Sequence, residues 1–179
     1  MTRTDHAYIY LQPISTEHSW WLNDLQQQIP KVFGYQTRLM NREIDLASAF
    51  DSTRQQYYSS MLLLQLITRP PVDAVKILGI ANVDLFIPIL TFVFGEAQLG
   101  GVGSVIGLQR LNNIFYGLPE DRALFRSRIV KEAIHELGHT FGLIHCQNQR
   151  CVMKSSTYVE DVDQKSTEMC DNCRSQLRG

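Results

Sequence analysis

The stretch HELGHTFGLIHC, from His135 to Cys146, contains three of the chain's five histidines, one carboxylate, two glycines and a cysteine. His135 and His139 are four residues apart, so on a helix their rings lie on one face. This spacing can bring two imidazole nitrogens to roughly 2 Å from one zinc ion. Gly142 permits the left-handed conformation that ends a helix, so the chain can turn back and His145 can supply a third ligand. The stretch therefore predicts a metal site formed by one helix and the turn that follows it.

Glu136, the residue after the first histidine, indicates the chemistry that such a metal site could perform. From this position the Glu136 carboxylate can reach a metal-bound water without itself binding the metal. Three neutral ligands leave the fourth coordination position open to water, as a catalytic zinc requires. The short pattern HExxH also fits a surface helix with two histidines beside a glutamate, but the longer HExxHxxGxxH makes chance occurrence a poor explanation. We therefore expect a catalytic zinc with Glu136 as general base.

A second ligand set follows directly in the chain. All the cysteines lie in the C-terminal part, at Cys146, Cys151, Cys170 and Cys173. Four thiolates in two pairs can form a closed tetrahedral zinc shell with no open position. One or two disulfides, or free buried thiols, are the alternative, and a reducing compartment disfavours the disulfides. A structural zinc here would contribute on the order of 10 kcal/mol to ordering a polar tail.

These motifs together resemble one known family. HELGHTFGLIHCQNQRCVM, followed by CDNC at residues 170–173, is similar to the archaemetzincins, a family of metzincin-type zinc peptidases. LTFVFGEAQLGG and GSVIGLQRL resemble that family's edge strand and next strand. The resemblance implies a compact single-domain α/β fold, in which a mixed twisted sheet packs against helices. It also implies two zinc ions per chain, one catalytic on the three histidines and one structural on the four cysteines, the latter fixing where the neighbouring third histidine points.

One methionine fits the same resemblance. Met153 matches the family's methionine, whose turn lies beneath the catalytic metal and provides an apolar, polarisable floor. An ordinary core methionine is the alternative. Only seven residues separate His145 from Met153, which is the short spacing of archaemetzincins. On this spacing we do not assign Tyr158 as the switch tyrosine of other metzincin groups.

Length, composition and charge set the broad class. The chain has 179 residues, 44% of them apolar, which suits one domain over 1–179. Within it we expect the sheet and helices in 1–142, and the third histidine, methionine turn and cysteine site in 143–179. A net charge of -1 without a basic run gives no reason to expect nucleic acid or an anionic membrane as partner, and we expect a monomer. The N-terminus lacks a signal-peptide core, and the longest apolar stretch, 85–94, is too short for a bilayer. These features predict a cytoplasmic protein.

The apolar pattern predicts strands separated by helices. A helix capped by Ser15 and stopped by Pro30, a second helix over 52–67 and a third from Pro119 to the active-site glycine are expected. The region after the first cysteine is polar and shows no clear period. Strands are expected at 7–14, 32–39, 75–83, 91–97 and 103–111.

The leading functional hypothesis is a zinc-dependent metallopeptidase whose peptide substrate pairs with the edge strand near 91–97. A non-catalytic, zinc-containing peptide-binding scaffold is the alternative, although a purely structural site has no use for the base at Glu136. Metal-assisted hydrolysis of a different substrate also remains open. Glu96 is expected to face either the cleft or solvent. The remaining candidates are interpreted as surface or core residues: His6, His18, Trp20, Trp21, Tyr57 and Tyr58.

Overall fold

The computed structural model describes residues 7–16 and 19–178. His6 and His18 lie outside the described residues. The strands are β1 (Tyr8–Ile14), β2 (Gln36–Leu39), β3 (Phe50–Asp51), β4 (Gln56–Tyr58), β5 (Ala74–Ala81), β6 (Leu85–Phe86), β7 (Gly95–Ala97) and β8 (Gly103–Gly107). The α-helices are α1 (Leu22–Phe33), α2 (Ser59–Ile67), α3 (Arg122–Thr140), α4 (Val159–Gln164) and α5 (Asp171–Arg178).

The main sheet has the strand order β2-β1-β5-β8-β7. Its strands are parallel except for β7, which lies at one edge and runs antiparallel to β8. The expected mixed sheet and the expected edge strand are therefore both confirmed. A smaller sheet, β3-β4-β6, is formed by two short strands that precede α2 and one that follows β5.

Alternating residues of the central strand β5 separate two apolar cores. Leu78 and Ile80 pack with α1 and α3 on one face, whereas Ile77 and Ala81 pack with α2 on the other. Because both faces are covered, the end of β5 and all of β8 are continuously buried, as is usual for parallel strands in α/β folds. Among the described residues, no helix is both long enough and apolar enough to cross a membrane.

The first helix differs from the prediction at both ends. Its N-cap is Trp21 rather than Ser15, and it continues through Pro30 to Phe33, where Gly34 adopts φ 77°. The apolar side chains of Leu22, Leu25, Ile29 and Phe33 are buried along one face, and this packing outweighs the single hydrogen bond that a proline removes in the last turn. The expected strand at 32–39 accordingly shortens to Gln36–Leu39.

Tertiary pairing also shortens the second predicted helix. Residues 50–51 and 56–58 form strands β3 and β4, so α2 begins only at Ser59. The Tyr57 N–H donates to the carbonyl of Asp84 at 2.9 Å, and β4 pairs in parallel with β6. The expected strand at 91–97 is reduced to Gly95–Ala97, and the one at 103–111 ends at Gly107.

The third helix carries the histidine motif as predicted, but it begins after Pro119. Its N-cap is Asp121, whose carboxylate accepts from the N–H of Leu124 at 2.9 Å. At the other end, Gly142 has φ 92°, the left-handed conformation expected there. The segment that follows contains α4 and α5, and its Val162 and Met169 are buried in the same core as α3.

A lysine that the sequence did not single out holds the C-terminal end of α3. Lys76 Nζ, from β5, donates to the carbonyls of Thr140 and Gly101, each at 2.6 Å. The N–H of Gly100 donates to the carbonyl of His139 at 2.9 Å. A cation at a helix C-terminus complements the helix dipole and binds carbonyls that have no partner within the helix. The glycine turn and Lys76 thus attach the C-terminal end of α3, which carries His139, to the sheet.

We expect Lys76→Met to lower the free energy of unfolding by about 2 kcal/mol, because it removes two charge-assisted hydrogen bonds. Urea denaturation of zinc-replete protein measures the change. Lys31→Met is the matched control, since Lys31 is an exposed cation in the last turn of α1, and a loss below about 0.5 kcal/mol is expected there. Equal losses in both variants would contradict the role of Lys76.

Candidate active site

The two histidines of α3 face each other with their Nε2 atoms 3.1 Å apart. His135 Nδ1 lies 2.8 Å from the carbonyl of Val152, and His139 Nδ1 lies 2.7 Å from the carbonyl of Leu143. A carbonyl can only accept, so each Nδ1 carries the proton and each Nε2 presents a lone pair. Two nitrogens bound to one tetrahedral zinc are roughly 3.3 Å apart. The spacing therefore fits a shared metal ion.

The turn after α3 brings His145 to the same point. The N–H of Gly142 donates to the carbonyl of His139 at 2.9 Å, and the chain then reverses direction. The His145 ring centroid lies 5.3 Å from that of His135 and 4.9 Å from that of His139. One ligand nitrogen from each of the three rings lies within 4.8 Å of the others. The predicted three-histidine set is therefore brought together in space.

Burial keeps these imidazoles in the form that binds metal. It lowers the pKa of His135 well below the ordinary value, and the neighbouring cation of Lys165 acts in the same direction. Burial likewise lowers the pKa values of His139 and His145. Neutral imidazole is the ligand form, so the environment favours coordination over protonation.

The four cysteines also converge. Their sulfurs lie within 4.8 Å of one another, and Cys146 Sγ is 3.7 Å from Cys170 Sγ, with all four thiols free. A disulfide requires about 2.05 Å, whereas two sulfurs on one tetrahedral zinc are roughly 3.8 Å apart. The N–H of Cys170 donates to Cys151 Sγ at 3.3 Å. A hydrogen bond from the backbone of Cys173 lowers the pKa of Cys170 to about 7, whereas burial raises the pKa values of Cys151 and Cys173. This donor set fits zinc rather than a disulfide.

Met153 lies directly against the histidine helix. Its side chain is fully buried, and a Cβ on Gly138, between the two ligand histidines, would overlap its sulfur. The carbonyl of Met153 accepts from the N–H of Cys146 at 2.9 Å. Met153 thus contacts the helix that carries His135 and His139, and its backbone contacts the cysteine set. Its role as the floor of the metal site stays a prediction.

Glu136 lies beside the three histidines without joining their ligand set. Its side chain is buried, with 6% of its surface exposed. Burial raises the pKa of Glu136 well above the ordinary value; the carboxylates of Glu132 and Glu96 act in the same direction, and Lys165 opposes them. A carboxyl group with a raised pKa is a stronger base once it is ionised.

A cleft of about 400 Å³ opens over this site. Residues 90–95, leading into the edge strand, form one wall, and residues 155–158, after Met153, form the opposite wall. The base contains Glu132, His135, Glu136 and His145. The cleft therefore lies between the edge strand and the segment that follows the methionine.

Two residues considered from the sequence have unexpected surroundings. Glu96 faces neither the cleft nor open solvent: its carboxylate accepts from the hydroxyls of Ser59 and Ser60, the latter at 2.7 Å, on the α2 side of the sheet. In a strand, neighbouring residues point to opposite faces, so Gly95 is the one that points toward Glu136.

Tyr158, set aside on spacing alone, lines the cleft with 64% of its surface exposed.

Sequence reasoning missed a buried ion pair below the cleft. Lys165 Nζ donates to Glu132 Oε1 at 3.0 Å and to the carbonyl of Lys154 at 3.1 Å. The two charged side chains are 1% and 3% exposed. The bond to Lys154 attaches the segment after Met153 to α3. Glu132 is one turn before Glu136, a spacing that could have indicated it, but nothing in the sequence pointed to Lys165.

The sequence pattern of peptidase family M54 matches residues 15–179. The chain is 39% identical over 170 residues to the archaemetzincin of Methanocaldococcus jannaschii, an alignment that covers 95% of this chain and 92% of that protein. The chain belongs to the archaemetzincins, peptidase family M54.

Solved archaemetzincin structures have the same fold. The archaemetzincin of Methanopyrus kandleri is 31% identical, with a TM-score of 0.87 over 99% of this chain and 96% of that one. A zinc-dependent peptidase from Methanocorpusculum labreanum is 30% identical, with a TM-score of 0.84 over 94% and 99% of the two chains. The predicted resemblance and α/β fold are confirmed. As an archaemetzincin, the chain is a zinc metallopeptidase that acts on peptide substrates.

The two ligand sets should differ in how readily they release zinc. His135 and His145 line the cleft, and the histidine set would supply three ligands, whereas the cysteine set would supply four and form a closed shell. We expect a mild chelator to remove the first zinc equivalent from the histidine site and the second only at much higher chelator concentration or after unfolding. Metal content at each chelator concentration, with His139→Ala as the one-site control, provides the measurement. Simultaneous loss of both equivalents would contradict this order.

The buried ion pair gives a stability prediction. Lys165→Met should lower the free energy of unfolding by about 3–5 kcal/mol, because it leaves Glu132 as an uncompensated buried charge. Adding Glu132→Met should restore most of the loss, since no charge is then buried alone. Urea denaturation of the single and double variants measures this coupling.

Arg38→Ala is the control for that pair. It breaks the Arg38–Asp73 ion pair, in which the side chains are 49% and 24% exposed, and should cost about 1 kcal/mol or less. A double variant of Glu132 and Lys165 that is less stable than either single variant would contradict the account.

Proposed function

We propose that the chain hydrolyses peptide bonds in extended polypeptides with Glu136 as the general base. One zinc ion would be held by His135, His139 and His145, and a second by the four cysteines. The observation that carries the proposal is the pair of lone-pair-bearing Nε2 atoms of His135 and His139, 3.1 Å apart, with Glu136 in the same cleft as His135 and His145. Zinc bound by the histidines supplies Lewis acidity, which lowers the pKa of water and polarises a carbonyl group.

The protein's own contribution to the proposed reaction is proton transfer. Glu136 accepts a proton from the attacking water and delivers it to the amine that leaves. Its carboxylate is on the cleft side of α3, adjacent in sequence to His135, so it can act without occupying a ligand position. The buried surroundings limit competing bulk water around the carboxylate.

The register of the edge strand supports an extended substrate. Two hydrogen bonds lie at the ends of the β7–β8 ladder. The Gly107 N–H donates to the Phe94 carbonyl, and the Gln98 N–H donates to the Gly103 carbonyl. In an antiparallel ladder this pattern makes Gly95 and Ala97 members of non-hydrogen-bonded pairs, so their N–H and C=O groups point away from β8. These groups lie on the free edge beside the cleft and can pair with a peptide as an added strand.

The cysteine site has a structural role in this proposal. Cys146 directly follows His145, and its N–H donates to the carbonyl of Met153. Zinc on the cysteines would therefore hold the chain immediately after the third histidine. It has no open position, so no reaction step is assigned to it.

Replacing Glu136 by alanine tests the base directly. Glu136→Ala should lower kcat/KM for a peptide substrate by roughly two to four orders of magnitude, while zinc content and peptide binding stay near those of the parent. Hydrolysis rate, zinc content and peptide binding are measured on the same preparations.

Glu120→Ala is the control, because Glu120 is an exposed carboxylate that precedes α3 and lies outside the cleft. Its hydrolysis rate should match the parent's. Unchanged hydrolysis in the Glu136 variant would remove that residue from the mechanism. A parent with full zinc and peptide binding, but without cleavage across a broad peptide library, would favour the scaffold alternative.

A further inference from the structure

The edge strand approaches the catalytic carboxylate at a glycine. A Cβ placed on Gly95 would lie 2.6 Å from Glu136 Cγ and 2.8 Å from both its Cδ and its Oε1. Ordinary contacts begin at about 3.4 Å, and Cβ contacts below 3.0 Å essentially do not occur. Any side chain at position 95 therefore requires Glu136 or β7 to move.

Glycine is not needed here for its backbone conformation. Among residues 7–16 and 19–178, the left-handed glycines are Gly34, Gly100, Gly117 and Gly142, and Gly95 is not one of them. A glycine inside a strand is normally less favourable than alanine. The close approach to Glu136 is therefore the feature of the structure that requires a bare backbone at this position.

Neither side of the contact can move freely. The strand is fixed by the bond from the Gly107 N–H to the Phe94 carbonyl at 2.8 Å, and the Phe94 side chain is buried. Glu136 extends from a buried helix that also carries two of the metal ligands. Within the part of the chain that the structure describes, no hydrogen bond holds the Glu136 carboxylate, so packing against its neighbours sets its position.

We propose that Gly95 is a positioning residue for the general base. Its bare backbone forms the wall against which the Glu136 carboxylate rests, and its N–H and C=O lie on the free edge where a substrate strand would pair. One residue thus sets the distance between the substrate backbone and the carboxylate. This inference rests on the proposed role of Glu136 as base.

The kinetic test measures hydrolysis by the Gly95→Ala protein. Restoring ordinary contact after Gly95→Ala moves the carboxylate by roughly 0.8 Å, and kcat should fall about 100-fold. KM should change less than about threefold, because the edge pairs through its backbone. Glu136→Asp would not remove the contact, because its carboxyl carbon takes the position of Glu136 Cγ, 2.6 Å from the added Cβ. Glu136→Ala lacks every atom of this contact, so it is the variant used for the stability comparison.

A stability measurement covers the case in which activity is too low to compare. Gly95→Ala should lower the melting midpoint of the zinc-replete parent, but it should leave the midpoint of the Glu136→Ala protein unchanged or raise it, because the clashing side chain is gone. Zinc content is measured on every variant. This readout does not depend on catalysis.

The outcomes separate the two proposals. A Gly95→Ala protein with the parent's kcat would overturn the role of Gly95. A melting midpoint that falls equally with Glu136 present and absent would also overturn it. Full hydrolysis by Glu136→Ala would instead reject Glu136 as base, whatever the melting midpoints show.

Discussion

Two imidazole nitrogens that both carry lone pairs face each other at 3.1 Å, and the architecture of the site depends on this arrangement. The arrangement is unfavourable without a cation between the nitrogens, and the fold enforces it. Carbonyl acceptors from Val152 and Leu143 fix both protons on Nδ1, which leaves the Nε2 atoms for the metal. Both acceptors follow α3 in the chain, so the C-terminal segment selects the tautomers of the helix histidines.

That same segment makes the two ligand sets interdependent. His145 and Cys146 are neighbours in sequence but belong to different sets, so neither set can shift alone. Met153 packs on α3, and the Glu132–Lys165 pair attaches the following residues to the same helix. A methionine contact and a buried ion pair thus hold the C-terminal segment on the active-site helix, and the proposed zinc coordination would add to them. The cleft wall at residues 155–158 depends on these attachments.

The sequence predicted what local spacing determines and missed what tertiary contacts determine. The four-residue histidine spacing and the left-handed Gly142 depend on helix geometry alone, so both were predictable. The limits of α1 and α2 depend on packing around Pro30 and on pairing of Tyr57 with a distant strand, which override local preference. Lys165 lies far along the chain from its partner Glu132. Gly95 matters only because the fold places an edge strand against α3, which one-dimensional spacing does not show.

The central claim is that two distinct zinc shells hold the C-terminal segment on the active-site helix. X-ray absorption at the zinc K-edge tests this claim most directly. Zinc-replete protein should show a nitrogen or oxygen shell near 2.0 Å and a sulfur shell near 2.3 Å, in the proportion expected from one histidine site and one four-sulfur site. His139→Ala protein should retain the sulfur shell and lose the nitrogen-rich site. A single shell of sulfur alone in the zinc-replete parent, or a spectrum without zinc–sulfur scattering, would contradict the account.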